Sequence, residues 1–480
     1  LFIEIKTFHA FCFDLLGKVG SLEKSDAILK TTVEKIRNKE VEVSRITKTV
    51  LVIDEAQDMN EDEFNLIKTL MEQNEEMRVI AVGDDDQNIF EFRGAHSKYL
   101  GMLLHAKEAV KHELVENYRS KNNLVEFSNQ FAKRIRNRLK DTPVIARQTD
   151  NGDVKVVRYQ SENLVVPLVN DILATGLTGT TCVLTRTNEE ALQITGLLLK
   201  NKMPAKLIQS NDGFYLSHLA EVRYFVNQLK LADDVYIIPD EVWESAKRAL
   251  HDEYRRSNKL EICLNIIRDF EATNPKKKYK SDLDVFIRES KLEDFMGEAG
   301  ETVLVSIIHK SKGKEFDHVF LMLDNFMPDT DAEKRLLYVA MTRAKQRLTI
   351  HLNSNLLDNL RPVENMERLV DSGDYNQPAE IAMQLTHRDV WLGYFIRRQS
   401  TVSQLMSGDT LILNDEGCSD SKGQPVLKFS NRFVKQLESM KAAGYVMKSA
   451  KVNFIVYWLD EDSEQEVKIV LPELWFEKQG

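Results

Sequence analysis

The sequence predicts an α/β protein with parallel sheet, on three observations. Short apolar runs alternate with segments of helical periodicity through the first two thirds of the chain. Two of these runs, Leu51-Val52-Ile53 and Val79-Ile80-Ala81-Val82, end abruptly in carboxylates. Open parallel sheets present the carboxyl ends of their strands to ligands, so acidic residues there point to chemistry. Finally, the strand-like runs fall into two sets split by the polar stretch 148–153, which predicts two α/β lobes.

Taken in order, 49–53 and 78–82 are the strands of the first lobe, with 61–72 a helix between them. The second lobe takes strands at 181–185, 302–308, 318–323 and 347–352, with helices at 122–140 and 189–200. From about residue 217 the strand signal fades into a charged region of helical period. There Trp243, Leu250, Leu260, Ile266, Leu283 and Phe286 are expected core positions of a helical insertion. After Leu385 a strand at 410–413, an acidic turn, a helix at 429–445 and short strands at 453–459 and 467–471 predict a small α+β or β-barrel-like unit. The expected boundaries are 1–116, 117–215, 216–298, 299–384 and 385–480.

With 480 residues and a 42% hydrophobic fraction, several cores can form. No run approaches the length of a membrane span, and the first residues lack the basic-then-apolar plan of a signal peptide. Cys12, Cys182, Cys263 and Cys418 lie far apart without a CxxC pair, which argues against a zinc site or disulfide framework and fits a reducing cytoplasmic setting. A net charge of -10 does not advertise a nucleic-acid binder, but local fields rather than the sum decide phosphate binding. The chain opens at Leu1 without a Met, which predicts a piece of something longer.

The chemistry concentrates in five stretches. Asp54-Glu55-Ala56-Gln57 follows the first strand and Gly83-Asp84-Asp85-Asp86-Gln87 the second. An Asp so placed can hold Mg²⁺ on a nucleoside triphosphate, and the adjacent Glu can orient or deprotonate a water. Downstream, Asn117-Tyr118-Arg119-Ser120 places an Arg past a short strand, and His309-Lys310-Ser311-Lys312-Gly313-Lys314-Glu315 puts a Gly turn between two strands. Ala340-Met341-Thr342-Arg343 carries a second Arg on an apolar helical segment.

In this order the five stretches resemble the UvrD/Rep/PcrA family of superfamily 1 helicases, over roughly residues 7–352. The resemblance implies two RecA-like lobes, the first lacking its N-terminal strands, with ATP and Mg²⁺ between them and DNA across them. Carried over residue by residue, Asp54 would hold Mg²⁺ and Glu55 would act as general base. Gln87 would sense the γ-phosphate, while Arg119 and Arg343 would neutralise charge on the transferring phosphoryl group. Gly313 and Glu315 match the motif that touches the nucleotide sugar and the DNA backbone. On the DNA side, Thr7, Phe8 and His9 match a first-lobe contact, and Arg186, Asn188 and His309 match second-lobe contacts.

In Ile89-Phe90-Glu91-Phe92-Arg93, the family typically has Tyr and Trp where this chain has Phe90 and Phe92. Phe92 still offers a face for a single-stranded base, and Phe90 reads equally as core. The basic runs at 133–140 and 276–280 read as solvated faces or as phosphate-tracking surfaces. The expected partners are single-stranded DNA or single/double-strand junctions, with no membrane and protein partners left open.

One family element is missing. No GxxxxGK[ST] occurs in the 480 residues, since Gly17-Lys18 is followed by Val and Gly313-Lys314 by Glu. In the family this phosphate cradle precedes the Thr-Phe-His motif, so its absence predicts truncation and an isolated chain that hydrolyses ATP poorly. The residues around Leu385–Trp391 more weakly resemble C-terminal extensions of large bacterial helicase fusions, and on their own read as a stability or docking module. The rival reading of the whole is a non-catalytic nucleic-acid-binding scaffold that kept the fold. A recombination-type nuclease–helicase subunit ranks last, for want of a carboxylate-and-lysine nuclease motif.

Overall fold

A computed structural model describes residues 4–16, 25–105, 109–140, 142–208, 215–230, 236–290, 292–295, 302–460 and 464–479. In the first lobe, strands Val50–Ile53 and Arg78–Ala81 pair in parallel, with Val50 opposite Arg78 and Ile53 opposite Ala81. Period-two alternation sends Leu51, Ile53, Val79 and Ala81 to one face, where they pack with Ile67 and Tyr99 from helices Glu61–Gln73 and Lys98–Leu104. Val50, Val52, Ile80 and Val82, of the opposite parity, are exposed. A capping box starts the Glu61–Gln73 helix: the Glu63 N–H donates to Asn60 Oδ1 and the Asn60 N–H to Glu63 Oε2, both at 2.9 Å. Helices Phe8–Leu15 and Ser25–Arg37 pack behind it through Cys12, Leu15, Ile28 and Leu29.

The second lobe is a seven-stranded, wholly parallel sheet. Its order runs Met366–Asp371, Asp153–Tyr159, Ala344–Leu352, Phe316–Leu323, Thr181–Thr185, Val303–Ile307, Ala205–Leu207. Helices cover both faces, which is why its strands are nearly continuous apolar runs. Along Phe316–Leu323, Val319, Leu321 and Leu323 enter the core beneath helices Asn122–Ala132 and Asp331–Met341. Phe320 and Met322 enter the other, beneath Val165–Ala174 and Asn188–Lys200. Three strands of this sheet are not legible as strands in the sequence, among them the three-residue edge strand Ala205–Leu207. Asp153–Tyr159 begins at the end of the polar stretch taken as a divider, and Met366–Asp371 is an exposed edge strand without apolar alternation.

Three expectations need correction. The helix expected over 122–140 stops at Ala132, because the basic residues beyond it leave the helix to reach the first lobe's acidic turn. The short strands expected at 453–459 and 467–471 belong to one long antiparallel hairpin, Tyr445–Asp460 with Gln465–Lys478, which carries register shifts between Met447 and Ser449 and between Val452 and Phe454. Lastly, strand Glu380–Gln384 falls inside 299–384, the segment expected to belong to the second lobe. It pairs antiparallel with Gln465–Lys478, so it belongs to the C-terminal six-stranded sheet.

That sheet, with helix Asn431–Ala442, does not stand apart. One core joins Trp243, Leu250, Ile266 and Phe270 of the helical insertion to Phe395, Phe433, Val456 and Phe476 of the C-terminal unit. At the seam, wholly buried Glu221 accepts from Ser257 Oγ at 2.5 Å and from Ser407 Oγ at 2.9 Å.

Candidate nucleotide cleft and nucleic-acid track

Asp54 and Glu55 sit exposed just beyond the carboxyl end of Val50–Ile53. Glu55 has φ 50, a left-handed conformation that costs a non-glycine residue energy and turns its carboxylate out of the strand. Behind it, Gln57 is buried and donates to Glu55 Oε2 at 2.6 Å while accepting from the Asp84 N–H at 2.9 Å. Gln57 thus ties the two acidic turns together. Gly83 is what lets it approach, since a Cβ there would lie 2.5 Å from Gln57 Oε1.

Across from these carboxylates stand the second lobe's cations. Arg343 is almost fully buried. Its Nε donates to Val339 O at 3.0 Å, and Nη2 donates to Gln87 Oε1 at 3.0 Å in the first lobe. Burial, with Arg119 adding to it, pushes the Arg343 pKa down to about 10, and Glu315 opposes the shift. Arg119 Nη2 meets Glu315 Oε1 at 2.5 Å, and Arg119 Nη1 donates to Thr342 O at 3.3 Å. Gly313, at φ 78, supplies the left-handed turn that delivers Glu315 to the strand Phe316–Leu323.

Lys312 crosses the cleft. It lies 2.6 Å from Asp58 Oδ2 and 3.5 Å from Glu55 Oε2, and donates to Gln87 O at 2.9 Å. Burial raises the Asp58 carboxyl above its ordinary range, and the Lys312 hydrogen bond acts against that. Lys312 and Gln57 lie inside motifs, yet their sequence context gives neither a role. Nothing in the sequence singled out a second clamp: Arg138 binds wholly buried Asp86 through Nε at 2.9 Å and Nη2 at 2.7 Å, and Lys140 reaches Asp84 at 2.6 Å. Burial would depress the Lys140 ammonium, but Asp84 and Asp86 outweigh it and hold its pKa above the ordinary value.

Three residues before Lys312, His309 meets the aromatic pair. Phe92, 68% exposed, packs edge-on against His309 with centroids 5.5 Å apart. Phe90 is half-buried 6.2 Å from Phe92, and the Arg93 guanidinium lies 5.5 Å from each Phe ring. Phe90 packs on the second-lobe core and also touches the His309 ring. Arg186 stacks over Phe326 at 4.6 Å and donates to Asp324 O, while Asn188 accepts from Lys310 at 3.1 Å, one residue from His309. By contrast, the contacts of Thr7, Phe8 and His9 lie within the first lobe. Thr7 caps the helix Phe8–Leu15, Phe8 packs against both first-lobe cores, and His9 lies near Glu63.

The sequence profile of the "UvrD-like helicase C-terminal domain" matches residues 112–236 and 223–355, and that of the "UvrD/REP helicase N-terminal domain" matches 22–110. The chain belongs to the UvrD-like helicase family. Among UvrD-like relatives, a putative ATP-dependent DNA helicase YjcD of Bacillus subtilis is 25% identical over 395 residues, covering 64% of this chain and 52% of the relative. The ATP-dependent DNA helicase Rep of Escherichia coli is 27% identical over 240 residues, covering 47% and 35%. The chain thus spans about half of one UvrD-like relative and about a third of the other. A solved C-terminal domain of a possible DNA helicase from Lactobacillus plantarum matches 52% of this chain and 98% of its own at 17% identity, with a TM-score of 0.26, too low to bear on the fold. Among the described residues no helix is long and apolar enough to cross a membrane.

Proposed function

We propose that this chain supplies the motor face of an ATP-dependent DNA helicase or single-strand translocase. The observation that carries the reading is the Arg343–Gln87 bond, which sets a second-lobe guanidinium against the first-lobe acidic turns. Phosphoryl transfer depends on positioning and charge stabilisation, and this cleft has both kinds of group ready. Glu55, held by Gln57, is the base that orients the attacking water. Arg343 and Arg119 stabilise charge on the transferring group, and Gln87 reports the state of that group to Lys312 and the crossover behind it.

ATP and Mg²⁺ fit this donor set. Mg²⁺ that arrives with a triphosphate needs only one or two protein carboxylates, and exposed Asp54 offers one beside the cleft. Bound there, the ion would neutralise charge on the phosphate oxygens. Gly313 and Glu315 would border the sugar.

The residues 308–315 run from the aromatic cluster at His309 to the Arg119–Glu315 pair, so one short crossover joins the two sites. In this reading single-stranded DNA, or a single/double-strand junction, stacks on Phe92 and is flanked by Phe90, Arg93, His309, Arg186 and Asn188. Thr7, Phe8 and His9 form the first-lobe end of the track. Cleft opening and closing then moves the strand, and DNA repair in the cytoplasm is the setting that suits such a motor.

Without a GxxxxGK[ST] sequence the isolated chain should turn over ATP slowly. The test is DNA-stimulated ATP hydrolysis by this chain and by a longer one supplying such a segment ahead of residue 1, each with Glu55→Gln. Turnover by the longer chain alone, abolished by Glu55→Gln, supports the motor. An inert longer chain that still binds DNA would favour the scaffold.

A further inference from the structure

The C-terminal unit carries an aromatic and basic ladder that the cleft does not use. Trp391 precedes the 3₁₀-helix Leu392–Arg397 as its N-cap. A 3₁₀-helix has three residues per turn, so positions three apart lie one above another. Trp391, Tyr394 and Arg397 fall in that register, while Phe395 turns inward and is wholly buried. Burial of Phe395 fixes the helix, and Trp391 and Arg397 are left facing outward with Tyr394 half-buried between them.

Trp391 is 55% exposed, unusual for so large an apolar side chain in a protein that buries Trp243 completely. Tyr394, half-buried, lies 5.9 Å from it and is tilted by 35°, so the exposed indole is the main ring face of the patch. Cations border the patch: Arg398 sits 5.1 Å over the Tyr394 ring, and Lys428 sits 6.0 Å from it. Arg388 and Arg397 are exposed beside it.

The framework beneath is rigid. The Trp391 N–H donates to Lys428 O at 2.8 Å, the Ser430 N–H to Asp389 O at 2.9 Å, and Val390 bridges Phe429. The patch's two carboxylates are already engaged. Asp389 accepts from the Thr386 N–H and hydroxyl at 2.8 and 2.7 Å, and Glu416 pairs with Lys428 at 2.5 Å.

We infer that this ladder is a second binding surface for single-stranded nucleic acid, outside the two lobes. The exposed Trp391 indole offers a face to a base, and guanidiniums at the rim meet phosphates, the combination that binds single strands with little sequence preference. An acidic protein would engage the cations but would not require an exposed indole among them. The inference does not need the cleft to hydrolyse anything.

The test uses the full chain and a labelled oligo-dT, with an abasic strand of equal length and polyglutamate as comparison ligands. Trp391→Ala and Arg397→Glu change exposed side chains, and Phe92→Ala serves as the variant in the lobes. Trp391→Ala should weaken oligo-dT binding about tenfold and leave the abasic strand unaffected, while Arg397→Glu should weaken both and flatten the salt dependence. Unchanged oligo-dT affinity in Trp391→Ala would overturn the inference. So would polyglutamate binding that depends on Trp391, which would make the patch a protein dock. Loss in Phe92→Ala alone would sink the second surface and spare the lobes' track, whereas loss in Trp391→Ala alone would do the reverse.

Discussion

Arg343 of the second lobe donates to the side-chain carbonyl of Gln87 in the first at 3.0 Å, from a position where almost none of its surface meets water. A buried guanidinium must keep its donors occupied, because an unpaired one would lose its hydration without return. The bond is thus a lobe-to-lobe latch.

The latch predicts coupling between the two residues. Gln87→Ala and Arg343→Ala should each speed hydrogen exchange at the Gln87 N–H, which closes a turn onto Asp84 O at 2.9 Å. The double variant should fall short of the sum by about 1.5 kcal/mol, the scale of a hydrogen bond to a charged group. Strict additivity would mean the lobes do not communicate through this pair.

The second clamp predicts an asymmetric response. Arg138→Ala leaves Asp86 buried with only Lys140 nearby, at 3.2 Å, and should destabilise the lobe interface by about 3 kcal/mol in urea melts. Replacing both partners, Asp86→Leu with Arg138→Met, should recover most of that loss, because no charge is then stranded. A double variant as unstable as the single one would show that packing, not charge, holds the clamp.

Acid sensitivity should trace to the second-lobe sheet. His318 is buried between strands, its ring stacked 4.1 Å from Phe320 and its Nε2 3.0 Å from Thr349 Oγ1. Burial, with Arg347 adding to it, pushes its pKa down to about 4, against about 6.5 in an unfolded chain. Because the folded value is the lower one, the contribution is present in full above pH ~6.5. It is lost as the pH falls toward about 4, by about 3 kcal/mol in all. Wholly buried His351 shifts in the same direction. His318→Gln should flatten the pH dependence of melting across that window, and an unchanged slope would mean the folded protein holds His318 protonated.

Much of this was legible in the sequence, for local reasons. Strand Thr181–Thr185 and the carboxylates beyond Ile53 and Val82 follow from apolar runs and where they stop. The Arg119, Glu315 and Arg343 set was legible only as an ordered series of motifs, since no single Arg differs in sequence from a surface ion pair. Lys312 and Gln57 went unassigned because their roles arise from partners 254 and 27 positions away.

The sequence by itself determined the two-lobed α/β plan, the helical character of the insertion and the identity of the cleft's charged groups, because periodicity and residue chemistry are properties of short windows. Only the tertiary structure decided that residues 133–140 abandon the helix to clamp Asp84 and Asp86, and that the insertion and the C-terminal sheet share one core. It also decided that Trp391 and Arg397 face solvent beside half-buried Tyr394. Each of these depends on burial and on long-range partners, and a sequence window carries no record of which surface another part of the chain will cover.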